Sequence, residues 1–208
     1  MKKSANFYNI YKFYDLINSF LTLGFDKSWR NKATKLLKPG NVLDLGSGTG
    51  AAYKQLKGLN VTALDPDEKM LSRNKFERKI IGVSEQLPFE DNIFDNIFCA
   101  FVLRNVEDID KTFNEIRRVL KKDGVFVLLD LTRPKNSFLS LVHKIGTFLI
   151  IHIVGLLTLN FKEYRFLYTS LDKLDPPEEL ILNTGLEIIS LERMGFLGFV
   201  YLAKFKKS

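Results

Sequence analysis

The chain has 208 residues, 46% hydrophobic and 26% charged. That is long enough to bury a full core in one domain, and ordinary for a globular protein. The formal charge of +7 favours an anionic partner, but the lysines are spread out, with short pairs at Lys2-Lys3, Lys121-Lys122 and Lys206-Lys207 and no concentrated arm for nucleic acid. The single cysteine, Cys99, excludes an internal disulfide and suits a reducing cytosol, and no apolar run comes after Lys2-Lys3, so no secretion signal is expected.

Residues 5–37 read as two amphipathic helices. Phe7, Tyr11 and Tyr14 share one face, continued by Asn18; Gly24 breaks the run, and a second helix carries Trp29 and Arg30 before Pro39-Gly40 stops it. Residues 1–38 are therefore either a helix pair packed on the core or a lid over a site.

Asn41 to Gly50, NVLDLGSGTG, organises the rest of the chain. A strand over 41–46 runs into a tight turn whose glycines permit positive φ and close approach of a ligand. A helix predicted over 50–58 would point free N–H groups at a carboxylate or phosphate. Two cofactor classes share this geometry. From Gly46, GSGTGA fits the dinucleotide pattern G-x-G-x-x-G/A, with Asp65 about 20 residues on to hold a ribose. From Asp44, the stretch reads D-x-G-x-G-x-G and resembles the first motif of the class I S-adenosyl-L-methionine (SAM) methyltransferases. The acid favours SAM, because it can hold the cofactor's ammonium group and would repel a pyrophosphate. Asp44, Gly46, Ser47, Gly48, Thr49 and Gly50 are the candidate contacts.

Strands and helices then alternate: a strand over 60–65, a helix over 67–77, strands over 79–84 and 94–101, a helix over 107–121, a turn at Asp123-Gly124 and a strand over 124–131. This predicts a parallel sheet covered on both faces, with ligands at the carboxyl ends of the strands. Asp65 ends the second strand, where it can accept both ribose hydroxyls, and Pro66 can lie along the adenine. The LPF-x-x-x-x-FD cadence from Leu87 looks like the adenine side of a SAM site, bordered by Val83, Ser84 and Glu85, with Ala100 ending the fourth strand. SAM methyltransferases commonly carry Asp or Asn where Val83 stands, so here the contact to the adenine amino group falls to backbone, Ser84 or Glu85.

An insertion over 136–175 interrupts the alternation. Ser137 to Asn160 is strongly apolar, and Glu163 to Leu174 reads as a second helix rich in aromatics. The run from Ile145 to Leu159 covers roughly 22 Å at ~1.5 Å per residue, short of a ~30 Å hydrocarbon layer, and His143, Lys144 and His152 flank or interrupt it. It reads as a core helix, a hydrophobic lid or an in-plane interfacial helix. The two histidines, nine residues apart, fall on opposite helix faces, and no metal site is expected. Pro176-Pro177 start a helix through Leu182, Gly185 ends it, and strands over 186–193 and 199–206 pair as an antiparallel hairpin at the sheet edge. The expected fold is α/β: one domain over 1–208 with a doubly wound, mostly parallel seven-stranded sheet.

The Asn-Pro-Pro-aromatic loop of amide N-methyltransferases and the paired glutamates of arginine methyltransferases are both absent. Instead YDLINSFLTLGFDKSWR, LDLGSGTG, EQLPFEDNIFD, LRNVED, RRVLKKDG and YRFLYTSL, in this order from about Tyr14 to Leu171, resemble the ubiquinone/menaquinone C-methyltransferase family. The resemblance implies a Rossmann-like class I fold, SAM as donor, S-adenosyl-L-homocysteine as product, and C-methylation of a prenylated quinol. It places the protein in the cytoplasm or on a membrane surface, without nucleic acid, and leaves a homodimer open. Arg104 is then expected to stabilise a developing phenolate, Asn105 to orient the ring oxygen, and Tyr14 to close over the site. The alternatives are an ion pair of Arg104 with Glu107 or Asp108, and Tyr14 in the core. The family often has Ser where Ala100 stands and Gly where Val102 stands, so acceptor shape or cofactor contacts differ here. Competing readings are a SAM methyltransferase for another small lipophilic acceptor (a sterol, fatty acid or polyketide phenol), a SAM-binding protein without transfer activity, and an RNA-binding module.

Overall fold

Short apolar strands separated by amphipathic helices can bury both sheet faces only by winding back in parallel, and the chain does so. The structure, a computed structural model, describes residues 24–158, 171–172 and 174–208. In chain order the main elements are α1 (Asp26–Thr34), β1 (Asn41–Leu45), α2 (Tyr53–Leu56), β2 (Asn60–Asp65), α3 (Glu68–Arg73), β3 (Arg78–Ile81) and β4 (Phe94–Ala100). Next come α4 (Ile109–Val119), β5 (Leu120–Leu131), α5 (Ser137–Thr158), α6 (Pro177–Leu180), β6 (Glu187–Met194) and β7 (Val200–Lys206). The strand order is β3-β2-β1-β4-β5-β7-β6. The first five strands run parallel, while β7 lies antiparallel to both β5 and β6.

This order sets the site. After β1 the chain builds outward through β2 and β3, then crosses back to lay β4 on the other flank of β1. The connections leaving the carboxyl ends of β1 and β4 diverge, and a crevice opens between them.

Alternate residues of the strands feed two cores. Phe126 and Leu128 of β5 pack with Leu45, Ile97, Phe113, Ile116, Tyr201 and Phe205, under the α4 stripe. Val127 and Leu129 pack on the opposite face with Trp29, Ala33, Leu56, Phe98 and Leu202. Trp29 meets Phe199 edge-on, ring centroids 5.8 Å apart, which fixes the rotation of α1 about its axis.

Several boundaries differ from the sequence reading. The helix expected over 50–58 is the single turn α2, because Ala51 and Ala52 stay in the turn after Gly50 and Gly58 closes the other end. The helix over 107–121 ends at Val119, and the turn expected at Asp123-Gly124 is a bulge inside β5, with Asp123 left-handed at φ 59° and Asp123 N–H donating to Lys207 O. The hairpin β6–β7 forms, and Gly185 closes the preceding segment in the left-handed region. α5 takes up the apolar stretch from Ser137 to Thr158, and Phe138, Leu141, Val142, Ile145 and Leu149 all stand exposed on it. Among the described residues, no helix is long and apolar enough to cross a membrane. The first N-terminal helix with Tyr14, and most of the helix expected over Glu163–Leu174, lie outside the described residues.

Candidate cofactor and acceptor site

The glycine turn caps the crevice. Gly46 has φ 69°, and a Cβ there would overlap Cγ2 of Val102, which comes in from the β4 loop. Gly48 has φ 53° and the opposite surroundings: a Cβ would meet nothing nearer than Met70 Cε at 3.8 Å and Asp65 Oδ2 at 3.9 Å. One glycine lets protein close on protein; the other leaves room for a ligand. Gly46→Ala is expected to cost roughly 1–3 kcal/mol in denaturant unfolding, from overlap and backbone strain. Adding Val102→Ala should relieve the overlap and recover only part, since the strained φ remains.

Asp44, at 3% exposure, lies beneath the turn and accepts from the Ser47 hydroxyl. Asn74 holds the same turn from the far side, donating from Nδ2 to Ser47 Oγ at 2.8 Å and to Gly48 O at 3.1 Å. Burial pushes the Asp44 carboxyl up to about 6; Ser47 and then Arg30 pull it down, and Asp65 adds to the rise. The ligand-free fold therefore carries an ionised Asp44 at a cost above pH 6, a cost relieved as pH falls and the group is protonated. A bound ammonium reverses that balance by favouring the carboxylate. SAM affinity, measured by calorimetry, is expected to fall about tenfold from pH 7 to pH 5, and Asp44→Asn to bind more weakly at pH 7 without that slope.

At the end of β2, Asp65 is already oriented. Its Oδ2 accepts from Gly48 N–H and its Oδ1 from Asp67 N–H, both at 2.9 Å, while burial raises its pKa. Each oxygen keeps lone-pair capacity for a ribose hydroxyl. Thr49 and Gly50 are half-buried on the turn, Pro66 is exposed beside Asp65, and Val83 is 46% exposed. The side chains of Ser84 and Glu85 are bonded within the protein. Ser84 is buried against Thr112, the two hydroxyls 3.1 Å apart, and Glu85 Oε1 accepts from Glu107 N–H at 2.7 Å. With both side chains so engaged, backbone is the better partner for the adenine amino group.

The residues expected to meet the acceptor follow β4. Ala100 is half-buried at the strand end, Phe101 takes φ 66°, and Leu103–Asn105 form one tight 3₁₀ turn. That turn directs Arg104 inward, to 5% exposure, with Nη1 3.9 Å from Asp130 Oδ1. Neither alternative ion pair forms among the described residues. Asp108 caps α4, accepting from Lys111 N–H at 3.0 Å, and the ion partner of Arg104 is Asp130. Asp130 is fully buried and also accepts from Leu103 N–H at 3.0 Å and Leu131 N–H at 2.8 Å. Burial raises its pKa; Arg104 and these N–H groups oppose the rise. Tyr201 lies directly across from Asp130 in the β5–β7 register, its phenol pushed well up by burial and by that carboxylate. Arg104 Nε and Nη1, Asn105 Oδ1 and Tyr201 OH are buried without a hydrogen-bond partner among the described residues. Such orphaned groups are the expected mark of a polar ligand or water held there.

Asn74, Asp130 and Tyr201 escaped the sequence reading. Asn74 sits in a loop with no pattern, but Asp130 left a signal: a lone acid at the carboxyl end of an apolar strand.

An open cradle over Gly48, an oriented Asp65 and a buried acid under the turn fit SAM, and the fold recurs in solved structures. A SAM-dependent methyltransferase of Thermotoga maritima superposes with a TM-score of 0.69, covering 97% of this chain and 99% of that one at 19% identity. A second such structure, from Methanococcus maripaludis, gives 0.61 over 95% and 92% at 21% identity. The fold is the one these structures share. The model of the ubiE/COQ5 methyltransferase family matches residues 2–200; the chain belongs to that family and is a SAM-dependent methyltransferase. A demethylmenaquinone methyltransferase of Thermotoga maritima is 36% identical over 183 residues, 81% of this chain and 79% of that protein. One from Bacteroides fragilis is 34% identical over 208 residues, 91% and 82%. A ubiquinone/menaquinone biosynthesis C-methyltransferase of Rickettsia bellii is 31% identical over 212 residues, 90% and 86%.

Proposed function

We propose that this enzyme methylates a ring carbon of a prenylated quinol in quinone biosynthesis. The observation that carries the reading is that relatives 31–36% identical, matched over most of their own length, are named for this reaction. When bound, SAM supplies a methyl group already activated by its sulfonium. The residues of the chain then have little covalent chemistry to do. Asp65 and the glycine turn would hold the donor, and the crevice would hold the ring beside it, such a transfer needing the reacting atoms ~3–3.5 Å apart. Asn105 orients the phenol by accepting its O–H on the buried Oδ1; once that proton has passed to solvent, Arg104 stabilises the negative charge left on the ring oxygen. Tyr14 is assigned to closing the site. Charge disappears as the methyl moves, so a dry pocket favours the step. Mass spectrometry of quinones in cells lacking the protein tests the reading: demethylated quinone should accumulate, and an unchanged quinone pool would refute it.

The reaction runs in the cytosol, at a membrane surface. Support comes from the exposed apolar face of α5 and from the net charge of +7, which draws the molecule to anionic headgroups. The protein is expected to co-sediment with vesicles containing anionic lipid, and Phe138→Asp with Leu141→Asp to release it. Retention in the supernatant, with equal turnover of long-tailed and tail-less quinols, would make α5 an ordinary packing helix.

A further inference from the structure

SAM carries an amino-acid zwitterion, and the turn that receives it has few amides to offer its carboxylate. Gly46 N–H and Ser47 N–H both donate to Leu64 O, at 2.8 and 2.9 Å, Gly48 N–H donates to Asp65, and Gly50 N–H donates to Ser47 O at 2.9 Å. The helix beyond it is the single turn α2, too short for a strong dipole, and its first amide, Tyr53 N–H, donates to Gly50 O. A cationic side chain is the stronger source of counter-charge.

We infer that Arg30 of α1 is the counter-ion of the cofactor's carboxylate. Arg30 is a cation at only 8% exposure, on the inward face of a helix whose rotation Trp29 fixes. Its guanidinium lies over the Phe101 ring, 4.8 Å from the centroid. Phe101 precedes Val102, whose side chain closes on Gly46, so Arg30 borders the same space as the glycine turn. The cation–π contact holds the guanidinium in place, and a guanidinium has the two-pronged geometry that suits a carboxylate. Asp26, one turn back with Oδ2 3.9 Å from Arg30 Nε, keeps the cation oriented within the protein. Asp44 feels the charge of Arg30, which puts acid and base within electrostatic reach of each other. Together they form a pair of opposite sign: Asp44 for the ammonium and Arg30 for the carboxylate. The other deeply buried arginine among the described residues, Arg104, lies after β4 beside Asp130. The inference rests on SAM as cofactor and is independent of the methyl acceptor.

Calorimetry with truncated ligands tests it without turnover. Arg30→Met is expected to weaken S-adenosyl-L-homocysteine binding by about 30-fold, the loss of one charged hydrogen-bonding pair. Binding of 5′-methylthioadenosine, which lacks the amino-acid end, should stay within about twofold and also reports that the variant is folded. Arg30→Lys should recover part of the loss. On the unmodified protein, the neutral carboxamide of S-adenosyl-L-homocysteine should bind about 30-fold more weakly than the acid. Equal weakening of both ligands by Arg30→Met would overturn the assignment. So would a carboxamide that binds the unmodified protein as tightly as the acid, and that arm decides even if Arg30→Met does not fold.

Discussion

Arg104→Ala is expected to lower turnover by about 100-fold or more while leaving S-adenosyl-L-homocysteine affinity within a few fold, the size associated with losing one donor to a developing oxyanion. The structure adds a second expectation. The deletion strands Asp130, fully buried with its N–H donors but without its cation, and breaking a buried pair from one side costs about 3–5 kcal/mol. The single variant should therefore be both slow and less stable in denaturant. The two effects separate in Arg104→Gln with Asp130→Asn, which removes both charges and keeps an acceptor for one of the two donors, Leu103 N–H and Leu131 N–H, that Asp130 meets with separate oxygens. That double variant should regain part of the lost stability and stay slow. If turnover returns with stability, Arg104 is a structural cation and its role toward the phenolate is wrong.

Asp65→Ala should abolish useful SAM binding, with affinity down about 100-fold. Three losses coincide: the acceptor for the ribose hydroxyls, the partner of Gly48 N–H, and the partner of Asp67 N–H. Each unmet hydrogen bond to a charged group is worth about 1–3 kcal/mol, discounted because water re-enters an opened turn. Asp65→Asn should be nearly as harmful, since its amide nitrogen must face one of two N–H donors. A calorimetric affinity within threefold of the unmodified protein would remove Asp65 from the cofactor site.

The legible parts of this molecule are those written locally. The strand-and-helix alternation specifies parallel strands on two cores, and the glycine spacing locates the turn, because both rest on neighbours in sequence. Asp65 stands out because ribose recognition asks for an acid at a strand end. The partner of Arg104 cannot be read the same way. Helical spacing suggests Glu107 or Asp108, but one 3₁₀ turn points the side chain inward to Asp130, 26 residues on. Ser84 and Glu85 draw notice by their place after the third strand, while their bonds to Thr112 and Glu107 N–H depend on how α4 docks. Asn74 joins a turn 26 residues upstream in sequence, a link that no periodic pattern encodes.

The position of β7 bears on how the chain is made. The strand nearest the carboxyl terminus does not add to the outside of the sheet; it is laid between β5 and β6. On the ribosome, β1 to β5 can assemble in order of synthesis, but the free side of β5, with Val125 to Leu129 in succession, must wait for Val200 to Lys206. Pairings so distant in sequence form slowly, and an apolar strand with an open flank invites misassociation in the meantime. The wait reaches both halves of the crevice. The glycine turn with Asp44, Asp65 and Asn74 can form early, but α1, which carries Arg30, is fixed in rotation only when Phe199 meets Trp29, and the floor beneath Arg104 is completed only when Tyr201 arrives opposite Asp130. A nascent chain can thus shape its glycine turn long before the last strand closes the walls around it.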